Sequence, residues 1–204
     1  MKTYAANLSA VCLFNQYFKQ IEYQTINSTL KFYGIPDNYL LDEFCQLYYE
    51  TYNHNPYFVN KWYAMELLHK NLAAEIHNNN ISADSRILEL GAGLGITASY
   101  LKKLGLNLVA IDNEFLACYI TLNTAAANSQ KISAVSCDWN FPAFKNKFDA
   151  IIGCDIIYEI VNVQPVVEVI ENHLNQPGIF YIANFDNYAF ELLLEKFGKA
   201  FTIT

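Results

Sequence analysis

Three glycines at alternate positions, Gly91, Gly93 and Gly95, follow an apolar run from Arg86 to Leu90 and precede a stretch of helical character from Ile96. Glycine lets backbone approach a ligand closely, and the free N–H groups of a helix start can cradle something polar. The apolar run also carries an acid, Glu89, two residues before the first glycine. A dinucleotide fingerprint would put its third glycine at position 96 for tight helix packing, and position 96 is Ile. A nicotinamide dinucleotide is therefore disfavoured. A second apolar run ends at Asp112, 21 residues after Gly91, where a carboxylate can accept both hydrogens of a ribose diol. The alternative use of Asp112 is to cap the following helix, a task that could also fall to Asn113. Beyond a third run come Asp138 and Trp139, an acceptor for an adenine amino group and an indole to cover its face, or else a turn aspartate and a core tryptophan. A fourth run ends in Asp155-Ile156-Ile157-Tyr158, at the carboxyl end of a strand, where open α/β sheets line their ligand crevice. Asp155 could instead cap a helix beginning near Ile160.

The elements that must hold these residues follow from periodicity. From residue 85 short apolar runs alternate with helical patterns, which predicts β-α-β units and a parallel sheet covered on both faces. Strands are expected near Arg86–Leu90, Asn107–Ile111, Lys131–Ser136, Phe148–Gly153 and Ile179–Ala183, with a short sixth at Phe201–Thr204. Helices are expected near Ile96–Leu104, Glu114–Ala127, Val161–Leu174 and Tyr188–Phe197. The texture changes near residue 81, which divides the chain into an N-terminal extension with lid helices, residues 1–80, and a ligand-binding core, residues 81–204. The extension reads as a hairpin of Ile21–Ile26 and Thr29–Tyr33 around Asn27-Ser28. A helix over Tyr39–Tyr52, capped by Asp37, follows it, and a second runs from Phe58 to His77 with Trp62, Met65, Leu68, Leu72 and Ile76 on one face. The fold class is thus α/β, a Rossmann-like, doubly wound, mostly parallel sheet with a helical and hairpin extension.

Composition narrows the partners. The 204 residues are 53% hydrophobic and 16% charged, enough for one folded core. The net charge of -7 opposes binding to phosphate backbones, so a nucleic-acid substrate is disfavoured. The 5 cysteines are an odd number without close pairs, which points to reduced thiols and a cytoplasmic setting. His54, His69, His77 and His173 have no ligand-like spacing, so no catalytic metal is expected. Nothing resembles a cleavable leader or a membrane-spanning run, and a soluble protein without membrane partners is expected.

With these residues in place, Glu89 and glycines 91, 93 and 95 resemble motif I of class I S-adenosylmethionine-dependent methyltransferases. The chain is similar, more narrowly, to the seven-β-strand protein-lysine methyltransferases, especially bacterial relatives of electron transfer flavoprotein β-subunit lysine methyltransferase. Asp155-Ile156-Ile157-Tyr158 matches their Asp-x-x-Tyr motif, Leu122-Asn123 through Asn128 resembles their Leu-Asn-x-x-x-x-Asn helix, and Pro56-Tyr57-Phe58 through Trp62 resembles their aromatic segment. The likeness runs from about Gly34 to Asp186. It implies S-adenosylmethionine as cofactor, held by Glu89, the glycine loop, Asp112 and Asp138, with Trp139 over the adenine. Asp155 and Tyr158 would be the catalytic-site residues contacting the target amine. Trp62 would stand near the cofactor, although an aromatic on an apolar helix face also serves as plain core. The acceptor implied is a protein lysine, with a small amine or other metabolite as the alternative and a non-catalytic interaction module as the third reading. The Asn/Asp-Pro-Pro-Tyr tetrad of amino-directed DNA methyltransferases is missing after the fourth run. The family's antiparallel closing pair of strands has no room before Thr204, so its last strand is trimmed or a partner chain covers the edge in a dimer. The first 33 residues fall outside the likeness and are expected to cover the core rather than dock a target.

Overall fold

The computed structural model describes residues 2–142 and 144–198, with residues 2–8 described through their backbone alone. Five strands form one parallel sheet: β3 (Arg86–Leu90), β4 (Asn107–Asp112), β5 (Ser133–Ser136), β6 (Phe148–Cys154) and β7 (Leu174–Ala183), in the order β5-β4-β3-β6-β7. The central β3 pairs in register with β4 on one side and β6 on the other, Glu89 opposite both Ala110 and Ile152. Both faces are covered, which is why Leu88, Leu90, Ile111, Ile151 and Ile152 are all buried in near-continuous apolar runs. Helices α4 (Ile96–Lys103), α5 (Phe115–Ala127), α6 (Val163–His173) and α7 (Tyr188–Phe197) make the crossovers and the outer layers, with α3 (Ala64–His77) also packed on the sheet. The five strands expected from periodicity are all present. The third is shorter than its apolar run, because pairing with β4 begins at Ser133, and the last begins earlier, at Leu174. The expected strand over Phe201–Thr204, and with it the question of a covered sheet edge, lies outside the described residues.

The N-terminal part adds α1 (Lys2–Tyr17), the antiparallel hairpin β1 (Lys19–Gln24) with β2 (Thr29–Gly34), and α2 (Asn38–Tyr52). Helix α1 was not anticipated, since its first turn holds no acidic residue and its last turn no basic one to mark them. Asp37 caps α2 as expected, its Oδ1 accepting from the Leu40 amide at 2.9 Å. These elements share one aromatic cluster with α5, in which Phe14, Phe18, Phe44 and Tyr48 are buried together with Leu116 and Ile120. Each such side chain removed from water contributes roughly 1.5–3 kcal/mol. The hairpin is also fastened by side chains that imitate a neighbouring strand. Asn128 accepts from the Lys31 amide at 2.9 Å and donates to the Lys31 carbonyl at 2.6 Å, while Tyr33 donates its amide to Thr124 Oγ1 at 3.1 Å. Core cover is therefore what residues 9–33 provide.

The expected helix from Phe58 to His77 is broken. Tyr57–Val59 form a single 3-10 turn, Asn60 is extended, and α3 starts only at Ala64, so Trp62 precedes the helix instead of lying on its face. The start is imposed from outside: the N-cap residue Tyr63 makes no side-chain cap, and the Ala64 amide donates instead to Asp155 across the sheet.

Candidate functional site

The sheet order reverses at β3, where the chain leaves toward β4 on one side and returns to β6 on the other. Ligand crevices of open α/β sheets form outside the carboxyl ends of strands at such a point. A cavity of about 590 Å³ lies there. Glu89, Gly91, Gly93, Asp112, Asp138 and Trp139 line it from the β3, β4 and β5 tips, and Asp155 and Tyr158 from the β6 tip, with Trp62 also in the wall. Gly95 is the one predicted site residue that does not line it.

Each loop glycine has a steric reason. All three have left-handed φ, 69° at Gly91, 51° at Gly93 and 71° at Gly95. A Cβ at Gly91 would sit 2.8 Å from Ile156 Cγ2, and one at Gly93 would sit 3.2 Å from the Phe58 carbonyl oxygen. The loop is thus wedged between the β6 tip and the aromatic segment before α3. At Gly95 a Cβ would meet Thr121 Cα at 2.6 Å, so this residue serves the contact of α4 with α5. That is the packing task a dinucleotide fingerprint assigns to the next position, here occupied by Ile96.

Glu89 is almost wholly buried and its Oε2 has no hydrogen-bond partner. Burial, reinforced by the Asp112 charge, pushes its carboxyl up to about 8, against an opposing hydrogen bond from the Ala98 backbone. Asp112 is also buried, and burial raises it to about 6 although backbone amides favour its charged form. Its Oδ2 accepts from Gly93 N at 3.0 Å and its Oδ1 from Glu114 N at 3.0 Å. Asp112 itself, and not Asn113, therefore bonds the backbone at the start of α5. A carboxylate has about four acceptor sites, so acceptor capacity remains for a ligand.

Asp138 is exposed, and its Oδ1 accepts from both the backbone and side-chain amides of Asn140, at 2.8 and 2.9 Å. It is a turn aspartate that nevertheless stands in the cavity wall. Trp139 packs on the core around Ile156 and presents its Cζ2 3.8 Å from the Cβ position of Gly91. Its buried Nε1 has no partner.

On the opposite wall Asp155 has φ 49°, a sparsely populated conformation for a residue with a Cβ. Its carboxylate accepts from Phe185 N at 2.6 Å and from Ala64 N at 3.2 Å. Asp155 thus caps α3, not the turn near Ile160 that spacing suggested, and it joins the loop after β7 to the aromatic segment. Tyr158 stacks at a tilt on Tyr57, ring centroids 4.9 Å apart, with its phenol raised by burial.

Three contributors were not visible in the sequence. Glu114 accepts from Tyr48 Oη at 2.7 Å and pairs at 3.4 Å with His54 when that imidazole is protonated, which fastens α2 to the β4 tip. Thr97 lines the cavity at the start of α4 and its hydroxyl shares a 2.9 Å hydrogen bond with buried His69 Nε2. Burial pushes His69 down to about 4, so it is neutral at physiological pH. Phe185 reaches the site through its backbone. Glu114 and Thr97 stand inside the strand–loop–helix units that located the others, but their partners Tyr48 and His69 come from the N-terminal part, and Phe185 acts through its backbone, so spacing alone did not single them out.

An open parallel sheet with a strand-tip cavity, a glycine floor and an acid at each of the β3 and β4 tips defines a Rossmann-like α/β protein. Residues 57–188 match the model of the lysine methyltransferase family, and the chain belongs to that family. The match begins after Pro56, so the likeness read from Gly34 extends beyond it. No curated protein matches the chain. Among solved structures it is similar to a T. thermophilus 16S rRNA methyltransferase in complex with AdoMet and guanosine, at 19% identity and TM-score 0.68, over 90% of this chain and 46% of that one. It is also similar to an S-adenosylmethionine-dependent methyltransferase from Clostridium acetobutylicum, at 18% identity and TM-score 0.50, over 69% of this chain and 56% of that one. A third, the ribosomal protein L11 methylase of Lactobacillus delbrueckii subsp. bulgaricus, has 19% identity and TM-score 0.52, over 66% and 68% of the two chains. The chain spans only 46% and 56% of the first two proteins, and at these identities the likeness establishes the fold. Among the described residues no helix is long and apolar enough to cross a membrane.

Proposed function

We propose that the chain binds S-adenosylmethionine across the tips of β3, β4 and β5 and transfers its methyl group to a lysine side chain of a protein. The observation that carries this is one cavity in which Glu89, Gly91, Gly93, Asp112, Asp138 and Trp139 face Asp155 and Tyr158 across the switch point. Family membership supports the acceptor, and the Asp-x-x-Tyr spacing supports the narrower kinship with electron transfer flavoprotein β-subunit lysine methyltransferase. The residues fit the cofactor. Glu89 Oε2 is a buried acceptor in want of a cation, such as an amino-acid ammonium. Gly91 and Gly93 let a ligand approach the backbone where a side chain would not fit, and Asp112 keeps acceptor sites for ribose hydroxyls. Asp138 and Trp139 would hold the adenine, and Trp62 would close the cavity from the α3 side.

When bound, the cofactor supplies a methyl carbon on a positively charged sulfur, open to in-line displacement by an amine. The task of the protein is then to position the partners and exclude water. A lysine amine, with an ordinary pKa near 10.4, must first release a proton to solvent, and the apolar walls at Tyr57 and Tyr158 favour its neutral form. Asp155 accepts an N–H of that amine with an oxygen already steered by the Phe185 and Ala64 amides, while Tyr158 lines the channel. Titration calorimetry with S-adenosylmethionine should show binding, and tritiated cofactor added to cell lysate should leave label in protein as methyl-lysine. Label found only in small molecules would transfer the reading to a metabolite amine. Absence of any heat of binding would leave an interaction module.

A further inference from the structure

The cavity mouth gathers much of the apolar surface that the chain exposes. Tyr63 is 95% exposed and Phe185 72%, and Tyr158, Ile160, Val161 and Tyr188 stand exposed beside them. They come from the loops before α3, after β6 and after β7 and from the first residue of α7, which hydrogen bonds join into one rim. Asp155 binds the amides of Ala64 and Phe185. Ile157 exchanges two bonds with the Asn184 side chain, at 2.9 and 3.0 Å, and accepts a third from Asn187 at 2.9 Å, the residue before Tyr188. Single exposed apolar side chains need no explanation, but a contiguous group rimmed by polar residues marks an interaction site. Held on an ordered backbone, such a group loses little entropy on binding.

The charge around this rim is predominantly acidic. Glu159 lies between Tyr158 and Ile160, and Asp186 follows Phe185, both exposed. Behind them the cavity holds Asp112 and Asp155, while Lys61 is the only lysine or arginine in its lining among the described residues. Lys61 is itself drawn over the Tyr23 ring, 5.1 Å from its centroid. This field repels a phosphate backbone and attracts a cationic chain.

We propose that the rim docks a basic polypeptide segment, with bulky apolar residues beside the acceptor lysine seated on Tyr63, Ile160, Val161 and Phe185. The proposal rests on the lysine-methylating reading and specifies the kind of substrate. The acids steer and orient the segment, and the apolar anchors set how long it stays.

Fluorescence anisotropy with the full chain and S-adenosylhomocysteine tests it, using three short synthetic peptides around a central lysine. One has arginine and leucine neighbours, one glutamate and leucine, one arginine and serine. The first should bind about tenfold or more tighter than either other, and added salt should weaken it. The double change Tyr63→Ser and Phe185→Ser should remove about tenfold of that affinity while cofactor titration is unmoved, which shows the variant folded. Equal binding of all three peptides, preference for the acidic one, or tighter binding of a uridine-rich RNA oligonucleotide overturns the proposal. Docking and methyl transfer are read separately. The first peptide bound selectively but left unmethylated supports the rim and sinks the acceptor reading, whereas methylation of all three at one rate supports the acceptor reading and overturns the rim.

Discussion

Asp112 and Asp155 sit at the tips of β4 and β6, each accepting two backbone amides, and the walls they organise are built over very different chain distances. The partners of Asp112 are Gly93 and Glu114, 19 and 2 residues away. Those of Asp155 are Phe185 and Ala64, 30 and 91 residues away. One wall is a local strand–loop–helix module with buried acids and a glycine floor. The other is a meeting of three loops with exposed aromatics. The contrast teaches that the proposed cofactor wall is rigid because its packing leaves no room. The acceptor wall can change its side chains, and so its specificity, with little cost to the core.

Changes on the two walls should therefore differ in kind. The largest effect is expected from Gly95→Val, in the packing behind the cofactor wall, where overpacking against Thr121 and left-handed strain together cost about 4 kcal/mol in a denaturant melt. Phe185→Ser on the other wall should stay within about 0.5 kcal/mol of the parent. Comparable destabilisation from both would erase the distinction.

Asp112→Asn comes next. Replacing an acceptor oxygen by N–H2 opposite the Gly93 or Glu114 amide, or toward the ribose, should weaken S-adenosylhomocysteine by about 2–3 kcal/mol, roughly a hundredfold by calorimetry. Affinity left intact would remove Asp112 from the cofactor wall.

The pH dependence sharpens the comparison further. The folded chain keeps the Glu89 proton up to about 8, whereas the unfolded carboxyl releases it near 4.5. Raising pH through that window thus favours unfolding, by about 1.4 kcal/mol per unit from this group. Ligand-free Glu89→Gln should lack this component of the slope, and S-adenosylhomocysteine should raise the parent's melting temperature more at pH 8 than at pH 5. A slope unchanged by the substitution would show that Glu89 is not the source.

Asp155→Asn acts on the other wall and should cost the site less than Asp112→Asn does. One of its two backbone amides then faces an N–H2 group, loosening either α3 or the loop after β7, at a cost of about 1–2 kcal/mol. Steady-state kinetics should show kcat/KM for the acceptor reduced about tenfold while cofactor affinity moves less than about twofold. Equal losses for both ligands would show a general role in folding.

Much of the cofactor wall was legible from residue order alone. Apolar runs of strand length between helical stretches specify parallel β-α-β units, and right-handed crossovers then place Glu89, Asp112, Asp138 and Asp155 at one end of the sheet. Alternate glycines after a strand specify a tight loop. The same periodicity misplaced Trp62, because Asn60 and Tyr63 carry no strong breaker and the start of α3 depends on Asp155. It also passed over Glu114, whose partner Tyr48 is 66 residues away.

What the amino-acid order determined by itself was the strand-tip register of the acids and the conformation of their loops, since both follow from spacing within a single crossover. The tertiary structure alone decided which amides Asp155 holds, why Gly93 must yield to the Phe58 carbonyl, and how separated aromatics form one rim. Those outcomes depend on pairs of groups distant in the chain, and hydrophobic periodicity says which face is buried but not which neighbour buries it.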